Sequence, residues 1–413
     1  MKNFKTVAVI GGGPAGMIAS IRAAENSAQV TLFEKNNRLG KKLSITGKGR
    51  CNLTNTADVA EVVKNIPGNG KFLYSALKNF TTADTINFFE SLGLKTKVER
   101  GGRVFPASDN AHEVIDVLTK KLFSLDVEVK LDSKVTEIIS DGEKVLGVEV
   151  GGKILNFDRV ILATGGASYP ATGSTGDGFK FAKKLGHTIT EILPALVPLE
   201  VEEDFVKTLQ GLSLKNVRAT LFADNKKVTE IFGEMLFTHF GISGPIILTI
   251  SRTVAKLLAE KKFVEVRINL KPALTPEQLD ARILRDFEKF KKKSAKNALA
   301  ELLPQKLIAP ILDLSFIDED KKVTEITKAE RQRLLENLRG LTLTITKTRP
   351  ISEAIVTSGG VSVKEINPAT MESKILRGLY IIGEVADIDG FTGGFNLQAA
   401  WAMGNLAGIA AAR

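Results

Sequence analysis

The sequence predicts an α/β fold: a parallel sheet with an antiparallel meander, interrupted by an inserted module that is part β-barrel and part helical. Two buried strands that each end in a glycine-rich turn, and a change in composition after Pro194, predict this fold. Thr6 to Ile10 is a short apolar run followed by GGGPAG at residues 11–16. Arg159 to Leu162 is a second such run, and it leads into Ala-Thr-Gly-Gly. Short buried strands joined by helices are typical of parallel sheets.

The first glycine-rich turn has the spacing of a dinucleotide-binding site. Gly11, Gly13 and Gly16 fit GxGxxG, and the next predicted strand, Gln29 to Phe33, ends at Glu34. The glycines allow a tight turn, the approach of a pyrophosphate and close packing of the helix on the strand. The helix N-terminus favours phosphate, and a carboxylate in the position of Glu34 accepts the ribose hydroxyls. A purely structural glycine turn is the alternative, and the strand, helix and acid together disfavour it.

The segment after Glu34 favours FAD over NAD. Residues 38–55, RLGKKLSITGKGRCNLTN, form a basic, glycine-spaced loop where a simple dehydrogenase would begin another helix. A loop of this length and charge suits a large cofactor that extends along its pyrophosphate and ribityl chain. A mobile surface loop is the alternative interpretation.

Two later segments complete the predicted cofactor domain. Asp126 to Phe157 alternates in short apolar stretches broken by Gly pairs and Asp-Gly, which predicts the antiparallel meander. Gly378 to Ile382 predicts a strand that ends at Gly383-Glu384, where a carboxylate can accept ribityl hydroxyls. The helix that begins at Gly393–Asn396 can direct its N-terminus at a flavin and stabilise the anion formed on reduction. An ordinary packed helix is the alternative there, and the two interpretations are compatible.

These segments predict a cofactor domain split by an insertion. We expect the FAD-binding domain to comprise residues 1–190 and 348–413. The inserted substrate module is expected to comprise residues 191–347, with its helical part at about 273–338.

Composition and charge exclude several classes of protein. Lys and Arg number 57 against 47 Asp and Glu, a formal net charge of +10, and the local cluster is Lys289 to Lys293. A solvated basic surface is the main interpretation and a nucleic-acid surface the alternative. The single cysteine, Cys51, and three scattered histidines exclude a disulfide framework and disfavour a metal site. No apolar run could span a bilayer and Met1 to Phe4 leads straight into a strand, so we expect a cytoplasmic protein without a membrane partner.

The motifs together resemble the BaiN/YhiN-type family of FAD-dependent oxidoreductases, and the resemblance covers nearly the whole chain. It implies a two-domain flavin fold, non-covalent FAD, and activities that range from oxidation of small amines to reduction of conjugated enones. The segments that carry it are GGGPAG (11–16), TGKGRCNLTN (46–55), GRVFP (102–106), ATGGASYPATGSTGDG (163–178), LFTHFGISGP (236–245), TSGGV (357–361), MESK (371–374) and GEVADIDGFTGGFN (383–396).

The candidate cofactor-binding residues come from two sources. The resemblance implies FAD contacts at Ala15, Glu34, Lys42, Arg50, Val135, Glu384, Asn396 and Leu397. The glycine-rich turns and their flanks add Gly11, Gly13, Pro14, Gly16, Lys35, Asn52, Ala163, Thr164, Gly165, Gly383, Gly394 and Phe395.

Candidate catalytic residues are fewer, because no nucleophile–base or paired-carboxylate spacing stands out. This fits a flavin enzyme, in which the cofactor carries the electron chemistry. Arg103 could hold a carbonyl or carboxylate, or pair with a neighbouring loop. His239 is either an acid/base or a half-buried histidine with satisfied hydrogen bonds, and Tyr169 either lines the flavin or packs.

We therefore expect an FAD-dependent oxidoreductase that transfers a hydride between flavin N5 and a small organic substrate, an amine or a conjugated enone. The electron partner, NAD(P)H as a transient reductant or O₂, and the choice between monomer and homodimer are left open. A flavoprotein that binds or modifies tRNA is one alternative, supported by the net charge. A non-catalytic flavin-binding scaffold is another.

Overall fold

The computed structural model describes residues 4–413; Met1–Asn3, which the expectation about the N-terminus partly concerns, lie outside the described residues. The described residues form two compact units. One comprises the residues up to Leu193 together with Ile351–Arg413, and the other comprises Pro194–Pro350.

The described residues form 19 strands and 12 helices. The strands are β1 (Thr6–Ile10), β2 (Gln29–Phe33), β3 (Thr54–Asn55), β4 (Thr96–Glu99), β5 (Arg103–Pro106), β6 (Glu128–Lys130), β7 (Val135–Ser140), β8 (Val145–Val150), β9 (Lys153–Asn156), β10 (Arg159–Leu162), β11 (Leu193–Ala195), β12 (Leu199–Val201), β13 (Ser213–Ala223), β14 (Lys226–Phe237), β15 (Gly241–Ser243), β16 (Val264–Asn269), β17 (Leu341–Thr348), β18 (Val356–Ser358) and β19 (Leu379–Ile381). The helices are α1 (Pro14–Glu25), α2 (Val59–Lys64), α3 (Tyr74–Asn79), α4 (Thr82–Ser91), α5 (Ala111–Ser124), α6 (Asp177–Lys184), α7 (Pro245–Ala259), α8 (Pro276–Lys289), α9 (Ala295–Ala298), α10 (Gln305–Leu314), α11 (Lys328–Arg339) and α12 (Phe395–Ala411).

The first unit is built on a five-stranded parallel sheet in the order β19-β10-β1-β2-β6. The antiparallel meander β7-β8-β9 follows β6 along the chain. This confirms the predicted Rossmann-type fold. One detail differs: Glu128–Lys130, expected in the meander, pairs with β2 in the parallel sheet, because it continues the hydrogen-bonding edge that Thr31 to Phe33 presents.

Helix α12 is buried on every side, and glycines let it approach α1. A β-carbon at Gly404 would lie 2.5 Å from the Ala15 carbonyl oxygen, and one at Gly408 would lie close to the Ala19 carbonyl oxygen. Trp401 on the same helix is fully buried. Small residues at four-residue spacing therefore lock the C-terminal helix onto the helix that follows the first glycine-rich turn.

The second unit contains a closed antiparallel barrel, β12-β15-β14-β13-β16-β17, which confirms the predicted barrel. The long β13–β14 hairpin turns through Asp224 and Asn225, both with positive φ. Helix α8 begins with a capping box, in which Thr275 accepts from the Gln278 N–H and Gln278 accepts from the Thr275 N–H. The helices of this unit pack apolar faces against the barrel residues in a separate hydrophobic core.

The predicted lysine cluster lies at the end of α8, and two of its lysines are paired locally with carboxylates. Lys289 contacts Glu301 and Lys291 contacts Glu288, both at 2.8 Å. The ammonium group of Lys293 lies 4.7 Å from the centre of the Phe290 ring. These contacts favour the interpretation of the cluster as a solvated surface.

Within residues 4–413, no helix is both long enough and apolar enough to cross a membrane.

His187 is a buried connection between the end of α6 and the segment before β19. Its Nδ1 lies 3.1 Å from Glu365 Oε2, and its Nε2 lies 3.0 Å from Ser373 Oγ. Ser373 Oγ also accepts hydrogen bonds from the Ile375 and Leu376 N–H groups, so its hydroxyl proton is directed to Nε2. The arrangement therefore requires a neutral imidazole.

We predict that this connection makes the protein acid-labile. Burial lowers the pKa of His187 below its ordinary value of 6.5, although Glu365 opposes the shift. The folded state then binds the proton more weakly than the unfolded state. The contribution of neutral His187 to the free energy of unfolding is therefore present above pH 6.5 and is lost as the pH falls below that value. Thermal unfolding between pH 7.5 and 5 should show this loss, and His187→Gln should reduce it. The exposed His112, changed to Gln, is the matched control and should leave the profile unchanged; equal acid sensitivity in His187→Gln would contradict the assignment.

Candidate functional site

The first glycine-rich turn leaves an open space in front of helix α1. Gly11, with φ +109°, passes so close to β10 that a β-carbon would lie 2.5 Å from the Ala163 carbonyl oxygen. A β-carbon at Gly16 would overlap the Gly11 carbonyl oxygen, whereas one at Gly13 would meet no atom within 4 Å. Pro14 occupies the first helical position, where its missing N–H costs nothing. The free N–H groups of the first turn, beside an uncrowded Gly13, fit a pyrophosphate.

Glu34 is held against this turn. Its side chain is 8% exposed, Oε2 accepts from the Gly12 N–H at 2.8 Å, and Oε1 accepts from the Asn36 N–H and side-chain amide at 2.8 and 2.6 Å. A carboxylate offers about four lone-pair positions, so these three bonds leave capacity for a ribose hydroxyl. The position of Glu34 fits the role of the ribose acceptor.

The three basic candidates are each paired with a carboxylate of the protein. Lys35 Nζ lies 2.8 Å from Asp177, and Lys42 Nζ lies 2.8 Å from Glu384. Arg50 pairs with Glu99 and with Asp109, and its guanidinium stacks 4.2 Å above the Phe105 ring. The sequence did not reveal these pairings, which orient the basic side chains within the protein.

Lys42 and Glu384 belong to a compact network at the carboxyl ends of β10 and β19. Lys42 Nζ also donates to Ser168 Oγ at 2.7 Å, and Ser168 Oγ donates to Glu384 Oε1 at 3.0 Å. The Thr357 N–H donates to the same oxygen at 2.7 Å. Burial alone raises the pKa of Glu384, but the charge of Lys42 and these hydrogen bonds outweigh it and hold the pKa below its ordinary value.

The NLTN segment of the long loop clamps the start of α12. In the amide orientation that satisfies its neighbours, Asn52 donates to the Val104 and Thr54 carbonyl oxygens and accepts from the Gly394 N–H. Asn55 donates to the Gly393 carbonyl oxygen at 2.9 Å. Asn52 is therefore a positioning residue in this structure, and the two motifs form one physical unit.

Two residues of α12 that the sequence analysis did not select complete this clamp. Gln398 is fully buried, accepts from the Thr54 and Thr85 hydroxyls at 2.6 and 2.8 Å, and donates to the Phe80 carbonyl oxygen. The Trp401 indole N–H donates to the Leu53 carbonyl oxygen at 2.9 Å. A polar Gln within a predominantly apolar helix was the signal that could have identified the first of them.

The first turn of α12 carries the remaining C-terminal candidates. The Asn396 side chain closes the preceding loop through two 2.7 Å hydrogen bonds to the backbone of Gly390. Gly394, the N-cap, has φ +96°, and a β-carbon there would collide with the Thr54 backbone. The backbone N–H groups of Phe395, Asn396 and Leu397 belong to the first turn of the helix, where they have no carbonyl partner within the helix and can face an anion.

The other cofactor candidates lie at strand ends of the same unit. Val135 is buried and begins β7, in register with Val150. Thr164 Oγ1 is buried and, among the described residues, has no hydrogen-bond partner. Gly165, with φ +72°, turns the chain toward Ser174, and Gly383, with φ +72°, packs against Ala15. An orphaned hydroxyl at the second glycine-rich turn fits a site that a ligand completes.

The three catalytic candidates do not form one described cluster. Arg103 is 45% exposed, with an amino group 3.6 Å from Glu99. Tyr169 adopts a left-handed backbone conformation, φ +52°, which is rare for a bulky side chain and is often found at functional sites. His239 lies in the other unit, exposed, with its ring 4.9 Å from that of Phe240. In the described residues no cluster of His, Cys, Asp and Glu could hold a metal ion.

Cys51 is fully buried beside Thr46, and burial raises the pKa of its thiol to about 12. At pH 8 only about one molecule in 10,000 would carry the reactive thiolate. We predict that a disulfide reagent labels the native protein negligibly and the denatured protein fully, and that Cys51→Ser keeps flavin reduction. Loss of turnover in Cys51→Ser with FAD still bound would contradict this prediction.

Comparisons with known proteins show which proteins this chain is similar to. The family described as "HI0933-like protein Rossmann domain" matches residues 5–410. A 3-dehydro-bile acid delta(4,6)-reductase of Clostridium scindens is 37% identical, covering 98% of both chains. A ribosomal RNA dihydrouridine synthase of Escherichia coli is 31% identical, covering 97% of this chain and 96% of that protein. The structure of a 3-ketosteroid delta1-dehydrogenase from Sterolibacterium denitrificans is 13% identical and superposes with a TM-score of 0.54, covering 99% of this chain and 100% of that chain.

Proposed function

The chain belongs to the HI0933-like Rossmann-domain family, and from this premise we propose that it is an FAD-dependent oxidoreductase that reduces a carbon–carbon double bond conjugated to a carbonyl group. The match over residues 5–410 agrees with the resemblance that the motifs predicted. The proposal joins a cofactor site built from this chain's residues to the chemistry shared by its relatives.

The observation that carries the proposal is the convergence of candidate residues at one edge of the parallel sheet. Strands β1, β2, β10 and β19 end in the Gly11 turn, in Glu34, in the Ala163–Gly165 turn and at Glu384, respectively. The carboxyl ends of parallel strands form the ligand-binding edge of such folds. This edge offers a phosphate turn, a ribose acceptor and a helix N-terminus, which together serve an extended dinucleotide.

The residues at this edge divide the work of holding FAD, which when bound supplies the hydride-transfer chemistry. Ala15 and Gly16 present backbone N–H groups to the pyrophosphate, and Glu34 accepts from the ribose. Lys42 and Glu384, which form an ion pair, would hold the ribityl chain, and the start of α12 would favour negative charge on the flavin ring. No protein nucleophile is needed, because FAD would carry the electron chemistry while the chain orients the substrate and leaves the second carbon open to a proton from solvent.

The relatives' names support an activated double bond as the substrate group. The Clostridium scindens protein is named for double bonds conjugated to a 3-keto group, and the Escherichia coli protein for conversion of uridine to dihydrouridine. In both, the reduced carbon–carbon bond is conjugated to a carbonyl. The same reaction, addition of a hydride to one carbon and a proton to the other, therefore suits substrates of very different size.

Purification and reduction of the holoenzyme test the proposal. We expect a yellow protein with one FAD per chain, released intact by acid, whose flavin is reduced anaerobically by NADH or NADPH. Steady-state loss of a 3-oxo-4-ene steroid should follow. A colourless protein that cannot be reconstituted with FAD would sink the proposal.

A uridine in RNA is the second candidate substrate, favoured by the net charge of +10 and by the dihydrouridine synthase relative. The local pairing of Lys289 and Lys291 makes the lysine cluster a poor RNA surface. We predict that changing Lys291, Lys292 and Lys293 together to Glu leaves enone turnover and RNA affinity unchanged within a few-fold. Gel shifts with ribosomal RNA and bulk tRNA across a salt series measure this; a steep loss of RNA binding in the variant would favour the RNA substrate.

A further inference from the structure

We propose that the tip of the β4–β5 hairpin, Arg100 to Arg103, is the site that recognises an anionic group of the substrate. This inference rests on the proposed function, since it names the substrate class for the same site. The anion is an oxyanion, either a carboxylate or a phosphate.

The hairpin tip is tied directly to the turn that opens helix α12. The Asn55 side-chain amide, which is 5% exposed, donates to the Gly101 carbonyl oxygen at 3.1 Å and to the Gly393 carbonyl oxygen at 2.9 Å. The Thr56 N–H donates to the Gly102 carbonyl oxygen at 2.8 Å. A single side chain therefore joins the arginine-bearing tip to the turn before α12, the turn that the proposed function assigns to the flavin.

Glycines give the tip its fixed shape. Gly101 and Gly102 have φ values of +79° and +72°, in the left-handed region. A β-carbon at Gly102 would lie 2.5 Å from Thr56 Oγ1 and 2.8 Å from Asn55 Oδ1. The tip is thus pressed onto the loop, and the two arginines leave it on either side of a defined turn.

The charges of the hairpin are unevenly compensated. Arg50 and Lys97, at its base, pair with Glu99 and Asp109. Arg100 is exposed, and among residues 4–413 no carboxylate forms an ion pair with its guanidinium. Arg103 donates from Nε to the Arg100 carbonyl oxygen at 3.1 Å; its side chain is 45% exposed, with one amino group 3.6 Å from Glu99 and the guanidinium carbon 5.7 Å from the centre of the Phe105 ring.

Segments 46–50 and 95–109 together contain six basic residues against two acidic ones, so the tip carries an excess of positive charge. A planar guanidinium offers paired N–H donors that match the two oxygens of a carboxylate or phosphate. A pair of arginines, of which Arg100 has no carboxylate partner among the described residues and Arg103 shares Glu99 with Arg50, is therefore suited to anchor the substrate through an oxyanion while its double bond lies elsewhere.

Binding of two matched probe pairs to the holoenzyme tests the inference. The first pair is a 3-oxo-4-ene steroid with a side-chain carboxylate and its methyl ester; the second is uridine 5′-monophosphate and uridine. We expect the charged member of at least one pair to bind more tightly than its neutral partner. The Arg100→Gln, Arg103→Gln double variant should weaken binding of that charged member at least about tenfold and leave binding of the neutral member unchanged. A variant with Arg100→Gln and Arg103→Lys should regain little of the affinity for the charged probe that the double Gln variant loses, because an ammonium lacks the paired donors.

The β8–β9 hairpin provides a matched control. It also turns through two left-handed glycines, Gly151 and Gly152, and an exposed Lys153 follows them. Lys153→Gln should therefore leave the binding of both probe pairs unchanged. If only the steroid pair shows tighter binding of its charged member, the tip is a carboxylate site. If only the uridine pair does, the tip is a phosphate site. Charged members that bind no tighter than neutral ones, or a preference that survives in the double variant, would overturn the inference. FAD content and dithionite reduction, measured on every variant, report separately on the proposed function.

Discussion

Replacing Glu384 with Ala is expected to lower the free energy of unfolding by about 3 kcal/mol and to weaken FAD binding. The change leaves the Lys42 ammonium without its counter-ion and removes the acceptor of Ser168 Oγ and the Thr357 N–H. Removing one partner of a largely buried ion pair costs about 3–5 kcal/mol, and the 19% exposure of the Glu384 side chain places the effect at the low end. Thermal and chemical denaturation of the apo- and holoprotein measure it.

A double-mutant cycle separates this pair from general loss of packing. Lys42→Met alone leaves a carboxylate uncompensated, and the Lys42→Met, Glu384→Ala double variant removes both charges. We expect the double variant to be less destabilised than the sum of the single variants by about 1.5 kcal/mol, which lies within the range of about 0.5–3 kcal/mol found for residues in one network. Strict additivity would show that the Lys42–Glu384 pair does not stabilise this edge.

Replacing Glu34 with Ala is expected to raise the dissociation constant of FAD by about ten- to a hundredfold. The variant loses charge-assisted hydrogen bonds to the ribose, worth about 1.5–3 kcal/mol. It also releases the Gly12 N–H, which Glu34 holds at 2.8 Å, and so loosens the phosphate turn. Titration of the apoprotein with FAD, followed by quenching of flavin fluorescence, measures the constant.

Glu128→Ala is the matched control for this prediction. Glu128 lies on β6 of the same sheet, 60% exposed, where its contacts are Thr31 and Lys130 rather than the glycine-rich turn. It should bind FAD as the unmodified chain does. An unchanged constant in Glu34→Ala would mean that the ribose acceptor has been misassigned.

The sheet and its ligand edge were predictable because they follow from local patterns. The run from Thr6 to Glu34 predicts, in order, a strand, a glycine turn, a helix, a second strand and an acidic residue. Each of these elements is determined by residues that are close in sequence. The barrel was predictable only in kind, from the change in composition after Pro194.

The partners of the basic residues were not predictable, because they come from remote parts of the chain. Lys42 and Glu384 form an ion pair although they are 342 positions apart in the sequence, and the hydrogen bond between Thr54 and Gln398 spans 344 positions. No periodicity or spacing encodes such a pairing, which depends on how the sheet and α12 pack. Lys35, Arg50 and Asn52 were therefore assigned to the cofactor by motif alone, whereas the structure also shows their bonds to the protein.

A single-turnover experiment tests the central claim most directly. Holoenzyme reduced anaerobically by dithionite, with excess reductant removed, is mixed with a 3-oxo-4-ene steroid, and the flavin absorbance and products are followed. The account predicts recovery of the oxidised flavin spectrum with formation of one equivalent of the product saturated at the conjugated double bond. Flavin that stays reduced in the presence of this enone and of uridine-containing RNA, in a protein that binds FAD and is reoxidised by O₂, would contradict it.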